Sequence, residues 1–217
     1  MRAGSKLRDL GRIGHGQLFP VEPNLAAVVG VVGDLNVGAA QTGQQDRVRL
    51  ACVQLDSLYL AVEVYPTRLA LVTGGEPMLQ KEVHHLFRSL LEHGYTVCVE
   101  TGGHVPLDKV DPRVHKIMDL KCPSSGMMEH NHYENIQSLT RNDEVKFVIG
   151  DRPDFDWACK KTIEFDLCSR VGTVLFSPVY GRLPYDLLAR WVLDSGLPVR
   201  MQLQLHRVIW PNVDRGV

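Results

Sequence analysis

A pair of glycines followed by a carboxylate and a proline is the first feature of the sequence with the chemistry to hold a ligand. It follows a short apolar run, in the order Thr73, Gly74, Gly75, Glu76 and Pro77. Because glycine has no Cβ, the backbone there can approach a bound group closely. Its carbonyls and the Glu76 carboxylate could accept hydrogen bonds from an ammonium or a hydroxyl. A tight turn from a strand into a helix would carry the same residues without any ligand, so both interpretations stand at this point.

Further carboxylates and lysines follow or interrupt other apolar runs. Glu100 precedes a second glycine pair, and it could line the same site or pair locally with a cation. Asp119 and Lys121 flank Leu120, so alternation along a strand sends both to one face. There they could bind an amino-acid zwitterion or form a salt bridge with each other. Lys146 lies within an apolar run and points either into the mouth of a barrel or along an exposed edge.

Three polar residues, Gln202, Gln204 and His206, alternate along the last apolar run and would share one face of a strand. Burying them without hydrogen bonds would cost free energy, so a solvated or ligand-facing position is expected. His84 and His85 fall on the helix predicted after the glycine pair, and they are interpreted as part of its exposed face rather than as metal ligands.

The cysteines number five: Cys52, Cys98, Cys122, Cys159 and Cys168. An odd number without framework spacing indicates reduced thiols in the cytoplasm. No pair has the C-x-x-C spacing typical of metal and cluster sites. Each cysteine is therefore expected to be a small buried apolar residue, and no metal ligand is predicted.

The overall composition is that of one domain with a sizeable core. The 217 residues are 44% hydrophobic and carry a formal net charge of −1, with no strongly basic face, which argues against nucleic acid as the main partner. No apolar run is long enough to span a bilayer, and no signal peptide is recognised at the start of the chain.

Six apolar, β-rich runs are predicted to be strands: residues 68–73, 96–101, 115–120, 144–149, 173–177 and 199–205. Helical patterns separate them over residues 78–93, 154–169 and 184–195, with a weaker one over 131–140. This alternation predicts a parallel sheet with helices outside it, either as a barrel or as an open doubly wound sheet. Both architectures place function at the carboxyl ends of the strands, where the glycine pair, Glu100 and Asp119 fall, so we favour the ligand-binding interpretation.

Residues 1–66 differ from the rest of the chain, since they contain a single lysine, Lys6, and no tryptophan. Residues 25–32 could form a strand and residues 48–64 one or two more, but neither helical periodicity nor alternation runs cleanly through the segment.

Five stretches give residues 67–217 a specific resemblance to the 7-carboxy-7-deazaguanine synthase family of radical S-adenosylmethionine enzymes. They occur in order at the predicted strand ends: residues 72–77, 99–103, 118–123, 145–149 and 202–207. The resemblance covers about two-thirds of the chain. It implies a partial (β/α)6 barrel that forms a homodimer.

The resemblance also implies a reaction and its cofactors. Family members convert 6-carboxy-5,6,7,8-tetrahydropterin into 7-carboxy-7-deazaguanine with loss of ammonia, in queuosine and 7-deazaguanine biosynthesis. They use S-adenosylmethionine, a [4Fe–4S] cluster and Mg²⁺, and the cluster takes electrons from a donor such as flavodoxin.

By the same resemblance, the loop of Gly74, Gly75 and Glu76 would hold the amino group of S-adenosylmethionine. Thr73 and the terminal Val217 would contact the pterin. The methionine and adenosine portions of the cofactor would lie against two further strand ends, formed by Asp119, Leu120, Lys121, Ser177, Pro178, Val179 and Tyr180. No catalytic residue is assigned.

The sequence departs from the family in its first third. Family members carry C-x-x-x-C-x-x-C after their first strand, a Ser or Thr just beyond it for Mg²⁺, and an earlier Gln-Gly-Glu substrate loop. Residues 1–66 contain only Cys52 and no Gln-Gly-Glu. Without three thiolates a cluster has no protein anchor, so the chain as written is not expected to perform the chemistry.

Two explanations account for this departure. Residues 1–66 could be read in the wrong frame and be poorly structured, which we favour because the composition shifts abruptly near Pro66. A well-packed first strand beside residues 68–73 would count against it. Alternatively, the chain is a non-catalytic protein that binds S-adenosylmethionine or a pterin on the same scaffold. An unrelated barrel acting on a phosphorylated metabolite is less favoured, since only Gly181 and Gly196 lie near the last strands.

Overall fold

The computed structural model describes residues 27–30 and 68–209, with the backbone alone for residues 27–30 and for His206. The strands predicted within residues 48–64 and the contact predicted for Val217 lie outside these residues. Within the described parts of the chain, no helix is both long enough and apolar enough to cross a membrane.

Seven strands form one sheet: β1 (Ala27–Gly30), β2 (Leu69–Thr73), β3 (Thr96–Thr101), β4 (His115–Asp119), β5 (Glu144–Ile149), β6 (Thr173–Pro178) and β7 (Arg200–Met201). The α-helices are α1 (Val83–Glu92), α2 (Arg152–Glu164), α3 (Leu167–Arg170), α4 (Tyr185–Ser195) and α5 (Leu205–Ile209). Short 3₁₀ helices span Pro77–Leu79, Pro123–Ser125, Met128–His130 and Tyr133–Ser138.

The order of the strands in the sheet follows their order along the chain, and every neighbouring pair is parallel. A doubly wound sheet reverses its strand order at a switch point, whereas a barrel winds in one direction. The order β1 to β7 is therefore that of a barrel, and the sheet stays open because β1 and β7 are its two edges. The predicted α/β partial barrel is confirmed, and the doubly wound alternative is excluded.

Burial alternates along the central strands, so the two faces of the sheet have different surroundings. On β2, β4 and β5 every second residue is buried, among them Val72, Met118 and Phe147. These side chains share one core cluster with Phe87 of α1 and Phe155 of α2. The helices therefore cover one face of the sheet, and the half-buried residues of the strands line the inner face of the open barrel.

The last predicted strand is shorter than the sequence indicated. Only Arg200 and Met201 pair with β6, and α5 begins at Leu205. The prediction that His206 shares a strand face with Gln202 and Gln204 was therefore wrong, because His206 lies in a helix. The strand pairing with β6 ends at Met201, and β7 has a neighbouring strand on one side only, so the ladder does not hold the following residues in an extended conformation.

The helix predicted over residues 78–93 is interrupted. A 3₁₀ helix spans Pro77–Leu79, and α1 begins four residues later at Val83. Leu79, which the helical pattern placed on the apolar stripe, is 65% exposed, whereas the stripe within α1 is buried as predicted. Gly94 follows the helix with φ +78°, in agreement with its predicted role as a stop.

Two other predicted helices also differ in their limits. The helix expected over residues 154–169 begins earlier, at Arg152, and ends at Glu164, because Asp166 adopts φ +48° before α3. The weak helical pattern over residues 131–140 corresponds to the 3₁₀ helix Tyr133–Ser138. The helix expected over residues 184–195 is confirmed as α4, with Pro184 at its N-cap.

The strand expected within residues 25–32 is confirmed as β1, which pairs in parallel with β2 from Ala70 to Thr73. Pairing at this position bears on the frame-error hypothesis for residues 1–66, since a well-packed strand here would count against it. The described backbone establishes the pairing and not the packing of the β1 side chains, so the hypothesis stays a prediction.

Candidate functional site

Polar residues at the carboxyl ends of four central strands lie next to one another on the inner face. The Thr73 hydroxyl at the end of β2 donates to Glu100 Oε2 of β3 at 3.2 Å. Asp119 of β4 pairs in register with Lys146 of β5. The edge predicted to carry function therefore does bring these residues together.

The charged residues at this edge form a continuous series, which we call the charge row: Glu100, Lys146, Asp119 and Lys121. The Lys146 ammonium lies 3.7 Å from Glu100 Oε1 and 3.2 Å from Asp119 Oδ1. Lys121 Nζ donates to Asp119 Oδ2 at 2.8 Å. Of the alternatives left open by the sequence, the Asp119–Lys121 salt bridge forms, Glu100 has a lysine partner, and Lys146 points to the inner face.

Lys146 is the centre of the charge row, with a side chain only 17% exposed. Burial of the ammonium lowers its pKa, but the nearby charges of Asp119 and Glu100 more than offset this, so the pKa of Lys146 is raised above its ordinary value. The row therefore holds two lysines and two carboxylates whose charges balance.

One acceptor in the row is not satisfied. Asp119 Oδ1 is buried and accepts no hydrogen bond from the described residues, although the Lys146 ammonium is its ion-pair partner. Buried carboxylate oxygens normally accept hydrogen bonds, so an unsatisfied one at a strand end is a position where a donor group would be stabilised.

The glycine pair after β2 has a backbone that a ligand can reach. Gly74 and Gly75 adopt φ +97° and +52°, the left-handed region that glycine enters without steric cost, and Gly75 is exposed. Without side chains there, the backbone of this loop is accessible beside Thr73, at the carboxyl end of β2.

Glu76, predicted to contact a cofactor, makes several hydrogen bonds within the chain. Its Oε1 accepts hydrogen bonds from Met78 N at 3.0 Å and Thr101 Oγ1 at 2.9 Å, and its Oε2 accepts one from Gly102 N at 2.7 Å. The side chain is 6% exposed, with His104 Nδ1 at 3.6 Å. The carboxylate therefore ties the loop after β2 to the loop after β3.

The other residues predicted to contact a cofactor differ in the exposure of their side chains. The side chains of Leu120, Ser177 and Pro178 are buried, so any contact with a ligand would come from their backbone. Val179 is half-buried and Tyr180 is 41% exposed. Tyr180 also borders an open depression whose wall is formed by residues 180–185.

The sequence did not single out the residues that hold the loop after β4. Asn131 receives a hydrogen bond from Lys121 N at 2.8 Å and donates one to Lys121 O at 3.0 Å. Asp154 and Arg182 tie the same loop to those after β5 and β6. An aspartate near a helix start is read from sequence as a cap, and nothing in the spacing shows a partner 30 residues away.

The remaining polar residues singled out in the sequence are two glutamines and two histidines. Gln202 is exposed and Gln204 half-buried. His85 is exposed, as expected for a helix face, while the His84 ring packs edge-on against Phe87 with centroids 6.1 Å apart. No group of three histidine, cysteine or acidic residues that could hold a metal ion occurs in the described ranges.

The described cysteines do not fit an iron–sulfur cluster. Cys122 is buried as expected, whereas Cys98, Cys159 and Cys168 are half-buried, and the four lie on different elements. Burial raises the pKa of all four thiols, and neighbouring carboxylates raise it further. Cluster ligands are thiolates, so these thiols are unsuited to that role. Cys52 lies outside the described residues.

Comparisons with known proteins identify the family. The chain is 42% identical over 167 residues to the 7-carboxy-7-deazaguanine synthase of Chlorobaculum tepidum, an alignment that covers 75% of each chain. The chain belongs to the 7-carboxy-7-deazaguanine synthase family. The synthase of Koribacter versatilis is 39% identical over 177 residues, covering 75% of this chain and 78% of the relative. That of Methanospirillum hungatei is 41% identical over 139 residues, covering 64% and 57%. No protein-family model matches the sequence.

Among solved structures, SuiB of Streptococcus suis is similar with a TM-score of 0.45 and 9% identity, covering 69% of this chain and 42% of SuiB. Its form bound to S-adenosylmethionine gives a TM-score of 0.44 and 10% identity, covering 68% and 42%.

Membership of the 7-carboxy-7-deazaguanine synthase family confirms the resemblance derived from the five stretches. The family's C-x-x-x-C-x-x-C motif does not occur anywhere in the 217 residues.

Proposed function

We propose that this chain serves the reaction of its family, the conversion of 6-carboxy-5,6,7,8-tetrahydropterin into 7-carboxy-7-deazaguanine with loss of ammonia. The observation that carries the proposal is its 42% identity to a 7-carboxy-7-deazaguanine synthase over three-quarters of both chains. Binding of S-adenosylmethionine and of the pterin is assigned to the carboxyl edge of the sheet, where the glycine pair and the charge row lie.

The chemistry of this edge supports binding of S-adenosylmethionine. The backbone at the half-buried Gly74 and the exposed Gly75 offers acceptors for the cofactor's ammonium. The unsatisfied Asp119 Oδ1 offers another acceptor, and the Lys121 ammonium offers a positive charge for a carboxylate. Backbone at Leu120 and at residues 177–179, together with the exposed Tyr180 ring, would line the rest of the molecule.

The pterin is assigned to the neighbouring end of β2. Thr73 is half-buried on the inner face, and its hydrogen bond to Glu100 fixes the hydroxyl in one orientation. A fixed hydroxyl next to an acidic group suits the amino and amide groups of a pterin ring. The contact predicted from Val217 remains part of the proposal.

The described cysteines do not fit the iron–sulfur cluster of the family. In the family, reductive cleavage of S-adenosylmethionine depends on the iron–sulfur cluster, and the described residues provide neither its thiolates nor a magnesium site.

Residues 1–66 lack the cysteine motif of the family. We infer that this segment is read out of frame and that the true coding sequence supplies the cysteine motif before the barrel of residues 67–217. Translation of the coding sequence in the other two frames tests this inference. A C-x-x-x-C-x-x-C motif in either frame supports it, and its absence from both overturns it.

The family resemblance also supports a homodimer acting in the cytoplasm. Light scattering of the purified chain tests the first of these statements, since a monomer at micromolar concentration would contradict it.

Calorimetric titration of the full chain with S-adenosylmethionine tests the proposed function. We expect saturable binding with one cofactor per chain, and tighter binding once the pterin is present. Product formation is expected only from a chain that carries the cysteine motif, after anaerobic reconstitution with iron and sulfide. A chain that binds neither molecule would overturn the assignment of the edge.

A further inference from the structure

Asp154, in the first turn of α2, is a buried carboxylate with all its hydrogen bonds directed at strand-end loops. Its residue exposure is 0%. Oδ1 accepts from Ser124 N at 2.9 Å, and Oδ2 accepts from Ser124 Oγ at 2.5 Å and from Gly150 N at 2.9 Å. Ser124 belongs to the loop after β4 and Gly150 to the loop after β5. One side chain therefore joins two neighbouring loops.

Arg182 adds the loop after β6 to the same cluster. Its Nη1 donates to Ser124 Oγ at 3.3 Å, and its Nη2 donates to Asp151 Oδ2 at 2.6 Å. Asp151 in turn caps α2 by accepting a hydrogen bond from Asp154 N at 3.1 Å. Three consecutive loops of the carboxyl edge are thus fixed to the start of one helix.

The cluster is tightly packed. A Cβ at Gly150 would lie 2.8 Å from Arg182 Nη1 and 2.9 Å from Ser124 Oγ. Both distances are too short for a real contact, so a side chain at Gly150 would displace the Arg182 guanidinium or the Ser124 hydroxyl from the cluster.

Two of the three loops are those assigned to S-adenosylmethionine under the proposed function. Lys121 precedes Ser124 by three residues, and Tyr180 precedes Arg182 by two. A backbone span of two or three residues covers at most about 7–11 Å. A shift of the Asp154 cluster would therefore be transmitted directly to both sets of proposed contacts.

We propose that Asp154 is a positioning residue for S-adenosylmethionine, which sets the spacing between the cofactor-binding loops after β4 and β6 without touching the cofactor. This inference rests on the proposed function. It goes beyond it by assigning a role to a residue outside the five stretches that resemble the family.

The chain contains a matched control at the opposite end of the strands. Asp143 is also 0% exposed, and its carboxylate accepts hydrogen bonds from Lys116 N at 2.8 Å, Thr140 N at 2.7 Å and Thr140 Oγ1 at 3.0 Å. It lies just before β5, at the amino edge of the sheet. The two aspartates share their burial and their hydrogen bonds to backbone N–H groups and a hydroxyl, but they organise opposite edges. Asp143 also pairs with the Lys116 ammonium at 3.1 Å, so the larger loss of stability is expected from its replacement.

The test compares Asp154→Asn with Asp143→Asn in the full chain. Both variants are expected to lower the melting temperature, because each presents an amide to backbone donors. Only Asp154→Asn is expected to weaken S-adenosylmethionine binding in calorimetry, by about tenfold, as for loss of a hydrogen bond to a buried charge. Amide hydrogen exchange in residues 121–126 and 178–183 should rise in Asp154→Asn alone.

Ser124→Ala provides a milder variant that keeps the backbone donor and removes the hydroxyl. It is expected to fold even if Asp154→Asn does not, and to weaken cofactor binding by about threefold. Equal cofactor affinities in the wild-type chain, Asp154→Asn and Ser124→Ala would overturn the positioning role and leave the proposed function intact. If the wild-type chain does not bind S-adenosylmethionine, the proposed function and the cofactor role of Asp154 both fail. Hydrogen exchange then reports only whether the loops are coupled.

Discussion

The two edges of the sheet each contain a lysine–aspartate pair, and the pairs differ in how completely they are satisfied. At the amino edge, Lys116 and Asp143 are 3.1 Å apart with side chains 3% and 0% exposed. At the carboxyl edge, Lys146 and Asp119 are 3.2 Å apart and 17% and 18% exposed. Asp143 accepts hydrogen bonds on both oxygens, whereas Asp119 Oδ1 accepts none from the described residues.

This difference separates structural charge from charge available to a ligand. A buried ion pair whose carboxylate oxygens all accept hydrogen bonds has no acceptor left for a ligand, so its role is confined to the stability of the fold. A half-buried pair with a spare acceptor can exchange partners when a ligand arrives. The same residue types therefore act differently at the two edges because their hydrogen bonding differs, and the following variants test that contrast.

The largest effect is expected from Lys116→Met, which leaves the Asp143 carboxylate buried without its cation. We expect the free energy of unfolding to fall by about 3–5 kcal/mol, the usual cost of breaking a buried pair from one side. Urea unfolding followed by circular dichroism measures it. A loss of unfolding free energy no larger than that of Lys146→Met would contradict the proposed contrast between the two edges.

Gly103→Ala is expected to act on the carboxyl edge through the backbone. Gly103 has φ +71°, and a Cβ there would lie 2.8 Å from the Asp119 carbonyl oxygen. Strain and overpacking together should cost about 2–3 kcal/mol. Gly126→Ala is the control, because Gly126 has φ +67° but no atom within 4 Å of the added Cβ. Equal losses of unfolding free energy in the two variants would mean that the contact of the added Cβ with β4 does not contribute to the cost of Gly103→Ala.

Lys146→Met removes the centre of the charge row, yet its effect on stability should be smaller. In this variant the Asp119 carboxylate still accepts a hydrogen bond from Lys121, and the Glu100 carboxylate still accepts one from Thr73. Both carboxylates are also partly exposed to solvent. We expect a loss of about 1–2 kcal/mol, between values for exposed and buried pairs. The same variant should weaken S-adenosylmethionine binding in calorimetry, whereas Lys116→Met should not, provided that both are folded.

The smallest effect is a pH dependence of the carboxyl edge. The pKa of Lys146 is raised in the folded chain above its ordinary value of 10.5. Its stabilisation is therefore fully present below the pKa of the unfolded chain and is lost as pH rises through the folded pKa. The difference in unfolding free energy between wild type and Lys146→Met should stay constant from about pH 7 to 9 and shrink above about pH 10.5. A difference that vanished by pH 9 would mean that burial dominates and the pKa is lowered.

The central strands could be predicted from the sequence because their buried residues are apolar and recur in short runs. The sequence pattern overestimated the length of β7, since Gln202 and Gln204 alternate like strand residues but lie beyond Met201, the last residue of β7 that pairs with β6. The break before α1 was missed because Gln80 adopts an extended conformation with ψ 124°, and the apolar pattern of residues 78–93 carries no sign of it.

The residues at the carboxyl edge could be predicted from the sequence, but the pairs that they form could not. The parallel fold brings Glu100, Asp119 and Lys146 to one edge by topology alone. Which carboxylate pairs with which lysine depends on distances set by the sheet, so the alternatives of salt bridge and ligand contact stayed open until the structure was known. Asp154 was missed because its partner Ser124 lies on a different loop.

The bonds made by Glu76 also have a consequence for the entropy of ligand binding. A loop that orders only when a ligand arrives loses backbone freedom worth about 1–2 kcal/mol per residue, and that loss weakens the affinity. Here Glu76 bonds to Thr101 and Gly102, so hydrogen bonds within the chain itself order the loop after β2. Its conformational entropy is lost during folding, and a bound molecule can leave and return without the loop having to form again.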